Sequence, residues 1–501
     1  MFKLRYFFLI LHERKIVNQK CSTSYTHRRP DLTDLHQVIR ENFHQVFFEK
    51  ETQGACFPFH LKREFEKYLA CGILSFGFAR FSCGHCRKDK LVAYSCKGRA
   101  FCPSCTGRRM ADTARHLVDN VIPEVPVRQW VLSMPYTHRF LLSSNPKLLS
   151  TALGIYHRLI GSFYKKRAKK CHLKDPKEGA ISVIQRFGGA LNLTVHFHTL
   201  FMDGVYYQND QGEQVFREII PSDQDVADLV KKAQKRINRA FYNRGFLDSL
   251  LLEERSLESS IDEDPQLSLI KSESVQNRVD GYQRPKNIGK WGESLFEEFS
   301  GEKFAYKDGF SLHVKVKVLG HQRSALERLC SYVTRGSIAE NRVSLTDEGA
   351  VRLELKRAYS NGTTHLEFTP KQFIKRLIAL VPPPRQNFIR YYGVFGARHR
   401  NRKEITSRAP GPEREKNQKM VYRTPWAELL KRVFKYDVLY CDHCGNKLTL
   451  IATITSPAVC AKILEHLKID RQEFEVISAR GPPPGESGVL FDDSFDQENS
   501  W

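Results

Sequence analysis

The run Asn192-Leu193-Thr194-Val195-His196-Phe197-His198-Thr199-Leu200-Phe201 alternates strictly in polarity. Successive side chains of a strand point to opposite faces. Leu191, Leu193, Val195, Phe197 and Phe201 therefore share an apolar face, and Asn192, Thr194, His196 and His198 share the other. Two imidazoles side by side on the second face of a core strand are what a metal site needs from a sheet. With one oxygen ligand they leave positions open for Mg²⁺ or Mn²⁺ to hold a phosphate. Asn192 shares the parity of the pair and is the first choice for that oxygen; Gln185 and His313 are the alternatives.

The second constellation is thiolate. Cys83-x-x-Cys86 and Cys102-x-x-Cys105 are two knuckles at a spacing that can close a tetrahedron around a structural zinc, with Cys96 and His85 as competitors for a position. Chance supplies roughly 0.3 such pairs in a chain of this composition, and three are present. Gly84, Gly98 and Gly107 stand where knuckles and turns favour glycine. The third pair, Cys441-x-x-Cys444, has no evident partners beyond His443 and His466 and is a candidate second zinc knuckle.

Phosphoryl chemistry also needs a nucleophile. In Ala325–Arg335 a helical stripe takes Leu326, Leu329, Cys330 and Val333, which leaves Tyr332 at its flank with Arg335 beyond it. Such a tyrosine can lean over the rim of a sheet with a guanidinium beside it. Tyr391 and Tyr392 are the rivals, in a basic aromatic segment better suited to base stacking.

The elements that must position these residues follow the same patterns. Helices are expected at about 32–50, 60–80, 146–170, 223–244 (Ser222 N-cap, Asp225 three residues on, Gly245 stop) and 323–335. Strands are expected at 128–134, 181–186, 192–201 and 310–318, with a Gly188-Gly189 turn before the histidine strand. Residues 248–300 are acidic and polar and read as a surface insertion. The implied divisions are a leader (1–27), a zinc-binding domain (28–122), a catalytic domain (123–405), a linker (406–424), a small module with a helix at Trp426–Phe434 and the third cysteine pair (425–470), and a tail (471–501).

The 501 residues carry 79 Lys+Arg against 56 Asp+Glu, a charge of +23 that favours a polyanionic partner, nucleic acid ahead of membrane. Basic groups expected to face DNA are Lys165, Lys166 and Arg167 on one helix, Lys231, Lys235 and Arg239 on another, and Lys315, Lys317 and Arg390. The apolar run Tyr6–Leu11 is too short for a secretory core, and no other run approaches the ~20 apolar residues of a membrane span. A cytoplasmic protein is expected, with its 13 Cys as metal ligands and buried thiols rather than disulfides.

With these residues in view, the chain resembles the HUH rolling-circle transposases of bacterial insertion sequences, of the insertion-sequence-ninety-one type, and is most similar to their single-tyrosine common-region relatives. The resemblance covers about residues 28–470. It rests on Cys83 to Cys105 with Gly107-Arg108-Arg109-Met110, Arg128-Gln129-Trp130-Val131-Leu132, Gln185 to His198, and Leu329-Cys330-Ser331-Tyr332-Val333-Thr334-Arg335. Gly362-Thr363-Thr364-His365-Leu366 and Leu380-Val381-Pro382-Pro383-Pro384-Arg385 complete it. It implies an α+β fold: an antiparallel nuclease sheet with flanking helices, preceded by a small four-cysteine zinc-ribbon-like domain. It also implies a metal-dependent tyrosine nuclease and strand transferase. His196 and His198 match the family's metal-binding pair and Tyr332 its second tyrosine, while Arg328 stands where a first tyrosine would be. The implied partner is single-stranded DNA at element termini, in some cases as hairpins. The implied cofactors are catalytic Mg²⁺ or Mn²⁺ and structural Zn²⁺. A plasmid replication initiator or relaxase would share the chemistry, and a non-catalytic zinc-ribbon DNA-binding protein would share the cysteines.

Overall fold

A computed structural model describes residues 29–52, 56–247, 264–276, 299–406 apart from 357 and 360, and 437–470 together with 427 and 431. The expected leader, most of the linker, most of the Trp426–Phe434 helix and the tail lie outside the described residues. The helices are α1 (Asp34–Thr52), α2 (Phe59–Leu69), α3 (Pro103–Asn120), α4 (Tyr136–Ser144), α5 (Pro146–Lys170), α6 (Asp223–Tyr242), α7 (Pro265–Val275), α8 (Arg323–Thr334), α9 (Pro370–Leu380), α10 (Arg402–Ile405) and α11 (Pro457–His466). The strands are β1 (Phe78–Cys83), β2 (Asp89–Ala93), β3 (Val127–Ser133), β4 (Lys174–Lys177), β5 (Gly179–Phe187), β6 (Leu193–Met202), β7 (Gly204–Gln208), β8 (Gln214–Glu218), β9 (Phe299–Gly301), β10 (Phe304–Lys307), β11 (Phe310–His313), β12 (Lys317–Val318), β13 (Val343–Leu345), β14 (Val351–Glu354), β15 (His365–Phe368), β16 (Ile389–Gly393) and β17 (Leu448–Ile454).

The fold is α+β. Its centre is an antiparallel sheet in the order β16-β5-β6-β3-β11-β10-β9, with β12 also pairing β3. Local signals set its helices. Asn145 accepts from the backbone N–H of Lys147 and Leu148 and starts α5 ahead of Pro146. Ser222 and Asp225 form the expected capping box of α6, and Gly245 ends that segment at φ +74°. Thr369 and Gln372 form another at α9.

Two helical layers sandwich the sheet. One face buries Trp130, Leu132, Val195, Phe197 and Phe201 against α4, α5 and α6, as the alternation of β6 requires. The other buries Ile181, Val183 and Leu200 against α3 and α8. Leu326, Leu329, Cys330 and Val333 of α8 are all buried there. At about 1.5–3 kcal/mol for each fully buried aliphatic side chain, that stripe fixes how α8 is rotated. A buried ion pair spans the sheet edge: Arg128 donates from Nε (2.8 Å) and Nη2 (2.6 Å) to the two carboxylate oxygens of Asp203, which also accepts from the Tyr164 hydroxyl.

Three expectations are corrected. The strand expected over 310–318 is two short strands, because its register against β3 slips by one residue between His313, opposite Val131, and Lys317, opposite Arg128. The acidic stretch 248–300 contains α7, which buries Leu267, Ile270 and Val275 in the main core; Asp264 caps its N-terminus and pairs with the buried Lys50 of α1. Of the expected 425–470 module, residues 437–470 join the N-terminal cysteine segment, since β17 pairs antiparallel with β1 and forms one sheet with β1 and β2. Lys90 on β2 strengthens the join by donating to the carbonyl of Asp437 (2.6 Å) and to Asp442 Oδ1 (2.9 Å).

Candidate active site and metal centres

His196 and His198 lie on the face of β6 that α8 covers. Across the ladder His196 faces Gln185, while His198 faces Val183 on one side and Val131 on the other. Their ring centroids are 4.9 Å apart. His196 Nδ1–H donates to the carbonyl of Thr194 at 2.8 Å, so its Nε2 keeps a free lone pair. Burial pushes His196 down to about 4, and pushes His198 further below the usual imidazole range, with Arg335 and the neighbouring charges acting in the same direction. Both rings are therefore neutral at pH 7, the form a metal ligand needs. Gln129 Nε2 lies 2.6 Å from His198 Nδ1. A half-turn of that amide presents its oxygen instead, which lets Nδ1–H donate and frees Nε2 for a ligand role.

Tyr332 stands over this pair. Its ring centroid is 6.0 Å from that of His198 at 83°, and the residue is 47% exposed despite sitting on a buried helix. The Arg335 guanidinium lies 4.4 Å from the centre of the Tyr332 ring. Arg139, Arg335, Arg342 and Lys356 add positive charge around the site. The ammonium of Lys356 is pulled down to about 8 by partial desolvation and by Arg335 and Arg342. The arrangement suits an anion held between imidazoles and tyrosine.

Other expected groups lie elsewhere. Asn192 donates to Thr194 Oγ1 (2.7 Å), and its amide oxygen packs over Gly188, within the β5–β6 turn. His313 stands two strands from His198, about 10 Å at normal strand spacing, with Val131 between them. Gln185 is the alternative nearest the pair: its Nε2 donates to the carbonyl of Val333 (2.7 Å), while Oε1 is buried without a partner. Tyr391 and Tyr392 are half-buried on β16, with Tyr392 stacked on His157 at 4.0 Å. The lysines and arginines of α5 and α6 ride on the layer opposite the histidine pair. Lys165 pairs with Glu178, Arg167 with Asp225, Lys315 with Glu302 and Lys317 with Glu218, and Arg390 donates to Ser150.

The cysteines regroup. The expected four-thiolate set Cys83, Cys86, Cys102 and Cys105 is not assembled. Instead Cys71, Cys96, Cys102 and Cys105 form one cluster, and Cys83, Cys86, Cys441 and Cys444 form another, each with its sulfurs within 4.8 Å of one another. Zn–S bonds of ~2.3 Å in a tetrahedron place sulfurs about 3.8 Å apart. The contacts are 3.7 Å (Cys71–Cys105), 3.4 Å (Cys96–Cys105) and 3.6 Å (Cys71–Cys102) in the first cluster. In the second they are 3.4 Å (Cys83–Cys444), 3.5 Å (Cys86–Cys441) and 3.6 Å (Cys86–Cys444). Both clusters thus fit zinc. Sulfur hydrogen bonds from Cys102, Cys71 and Cys96 hold Cys105 well below the usual thiol range, which eases its ligation as thiolate.

The two knuckles of the second cluster are the same turn. Arg87 N–H returns to the Cys83 carbonyl as Gly445 N–H returns to that of Cys441, both with positive φ. Gly98 avoids a clash with Glu64 and the Cys96 sulfur, whereas Gly84 and Gly107 have open space around them. Cys71 escaped the sequence reading because it belongs to no Cys-x-x-Cys pair. Its only signal is its place just after α2.

The first cluster is mechanically tied to the tyrosine. Cys102 and Cys105 open α3, and Arg323 at the start of α8 donates to the carbonyls of Val118, Ile122 (2.9 Å) and Pro123 (3.1 Å) at the far end of α3. At the other end Gly336 passes so close to Thr106 that a Cβ there would lie 2.3 Å from its hydroxyl.

A zinc-binding segment packed on an antiparallel sheet, with imidazoles and a tyrosine on one face, suits a nucleic-acid-processing enzyme. Residues 39–134 match the family described as "Transposase zinc-binding domain", of the insertion-sequence-ninety-one type, and residues 179–403 match the family described as "Putative transposase". Both matched segments are thus transposase domains, which supports a transposase function. No curated protein and no solved structure matches it. No helix among the described residues is long and apolar enough to cross a membrane.

Proposed function

We propose that this transposase nicks and rejoins single-stranded DNA at element ends through a 5′-phosphotyrosine on Tyr332, in rolling-circle fashion. The observation that carries the reading is the placement of an exposed Tyr332 ring against His198 with Arg335 over it. The residues fit a divalent cation: His196 Nε2 is free, both imidazoles are neutral, and the unpartnered Gln185 Oε1 faces His196 across the ladder. His196, His198 and Gln185 would hold Mg²⁺ or Mn²⁺, which would supply Lewis-acid chemistry at the scissile phosphate.

The chain's own residues supply the rest. The Tyr332 hydroxyl gives up its proton and its oxygen attacks phosphorus in line. The bond from phosphorus to the 3′-oxygen breaks, and that oxygen takes a proton to leave a free 3′-OH. The phosphodiester energy stays in the tyrosine ester, so a 3′-OH can reverse the step without a nucleotide cofactor. Arg335 neutralises the charge that builds on the pentacoordinate phosphorus. Arg328 in place of a first tyrosine restricts the chain to one nucleophile that acts once or is reset. The two cysteine clusters would hold structural zinc, and the first of them would fix α3 and through it α8.

The test uses end-labelled single-stranded oligonucleotides spanning the two element ends, incubated with protein and Mg²⁺ or Mn²⁺. A covalent adduct on the fragment 3′ of the nick is expected. It should be lost in Tyr332→Phe and in the double variant His196→Ala, His198→Ala. An adduct that persists in Tyr332→Phe moves the nucleophile elsewhere, and tight binding without cleavage favours a non-catalytic DNA-binding protein.

A further inference from the structure

Between the start of α3 and the end of α8 lies a cavity of about 100 Å³, several times the ~10–15 Å³ that one water needs. Arg99 and Arg109 come to its wall from the zinc-binding segment, Arg186 from β5 and Arg335 from the end of α8. Among the described residues no aspartate or glutamate lines it. Glu64, which acts on Arg109, spends its Oε1 on the backbone N–H of Arg99 (2.9 Å) and Ala100 (3.1 Å). The thiols of Cys96 and Cys105 also act on Arg109 but stand outside the wall.

The arginines are partly held by the protein. Arg99 donates to the carbonyl of Gln386 (2.7 Å), Arg109 to that of Lys97 (2.9 Å) and Arg186 to that of Ser143 (3.2 Å). None of these acceptors is charged. Arg335 keeps a buried Nε without a partner, with its guanidinium carbon 5.7 Å from the centre of the Phe187 ring. Guanidinium groups gathered around a cavity whose described wall carries no carboxylate attract an anion. Arg335 borders this cavity and also lies over the Tyr332 ring, so an anion here is next to the reacting group.

We propose that the cavity is a phosphate subsite for the nucleotide adjoining the scissile linkage, through which Arg99 and Arg109 set which DNA phosphate lies at Tyr332. The inference rests on the reading of Tyr332 as the nucleophile. It gives the zinc-binding segment a direct part in choosing the register of the cut, in addition to holding α3.

The experiment scans single-stranded oligonucleotides that carry one methylphosphonate, and so one neutral linkage, at each position in turn. Binding is measured for the wild type, Arg99→Gln, Arg109→Gln and Arg109→Lys, with zinc content and melting as the check on folding. In the wild type, neutralising one linkage beside the nick should weaken binding by about tenfold, the size of one or two charged hydrogen bonds. That linkage should become silent in the two Gln variants and stay sensitive in Arg109→Lys, while penalties elsewhere persist. Unchanged penalty profiles in the Gln variants overturn the proposal. So does a melting temperature raised by inorganic phosphate through Arg109 while no linkage falls silent, which marks a site for free phosphate only. If no tyrosine adduct forms anywhere yet one linkage still falls silent in the Gln variants, the nucleophile reading fails and the subsite stands.

Discussion

Serine substitutions at Cys71 and Cys441 separate the two ways of grouping the cysteines. The structure brings Cys71 to Cys102 and Cys105, and Cys441 to Cys86, a pair 355 residues apart in sequence. A metal bridge across that separation restricts the unfolded chain as a disulfide would, worth about 6 kcal/mol at 25 °C on the loop-entropy relation. Strain and residual structure reduce that figure, so it is an upper measure of what the closure contributes. Released from the bridge, residues 437–470 keep the β1–β17 ladder, the Lys90 contacts and a small core of Val438, Leu448, Ile454, Cys460 and Leu464. The assay is zinc per chain by mass spectrometry, paired with limited proteolysis. Two zincs are expected in the wild type, one in Cys71→Ser, one in Cys441→Ser and none in the double variant. Cys441→Ser should also expose 437–470 to protease while α3 and α8 stay protected. A double variant that retains one zinc refutes the reasoning, because that zinc would have to sit on Cys83, Cys86, Cys102 and Cys105.

Three further outcomes follow from the packing. Asp203→Ala leaves Arg128 buried without its carboxylate and should lower stability to denaturant by about 3–5 kcal/mol, well above a surface substitution. Burial pushes His138 down to about 4 in the folded protein, where its ring N–H donates to Asn238 at 2.7 Å. Above pH ~6.5 neither folded nor unfolded ring is charged; below it the unfolded ring takes a proton that the folded one refuses. Stability should therefore fall as pH drops from ~6.5 to ~4, by up to about 3 kcal/mol for this residue, and the wild type should show a steeper fall than His138→Gln in denaturant titrations. Gln129→Leu removes the partner of His198 Nδ1 and should weaken Mn²⁺ binding by about 10- to 100-fold with little change in melting temperature; unchanged affinity would sink the ligand assignment.

The local patterns were legible because they are short-range. The strict alternation of Leu191–Phe201 specified which face of β6 enters the main core, and the stripe Leu326, Leu329, Cys330, Val333 specified how α8 turns Tyr332 outward. The cap at Ser222 acts within four residues, so the start of α6 could be read from the chain alone; Asn145 and Thr369 cap α5 and α9 by the same short-range bonds. The basic helices were equally plain, but their layer was not, since charge on a helix says nothing of which side of a sheet it will cover.

What the sequence determined by itself is the chemistry on offer: two imidazoles on one strand face, a flanking tyrosine with an arginine, and knuckles of thiolate. Tertiary structure alone decided which of these meet. A Cys-x-x-Cys knuckle is closed by nearby backbone N–H groups, yet it supplies half a tetrahedron, and any second pair of thiols with the same reach can complete it. The choice of Cys71 and Cys96 for one site, and of Cys441 and Cys444 for the other, came from sheet pairing between β1 and β17 and from the position of α2, at sequence separations where spacing carries no information. Sheet pairing also bears on the proposed third oxygen beside the histidines. Asn192 had the right parity but belongs to a turn that uses its amide, whereas Gln185 is carried opposite His196 by the ladder register.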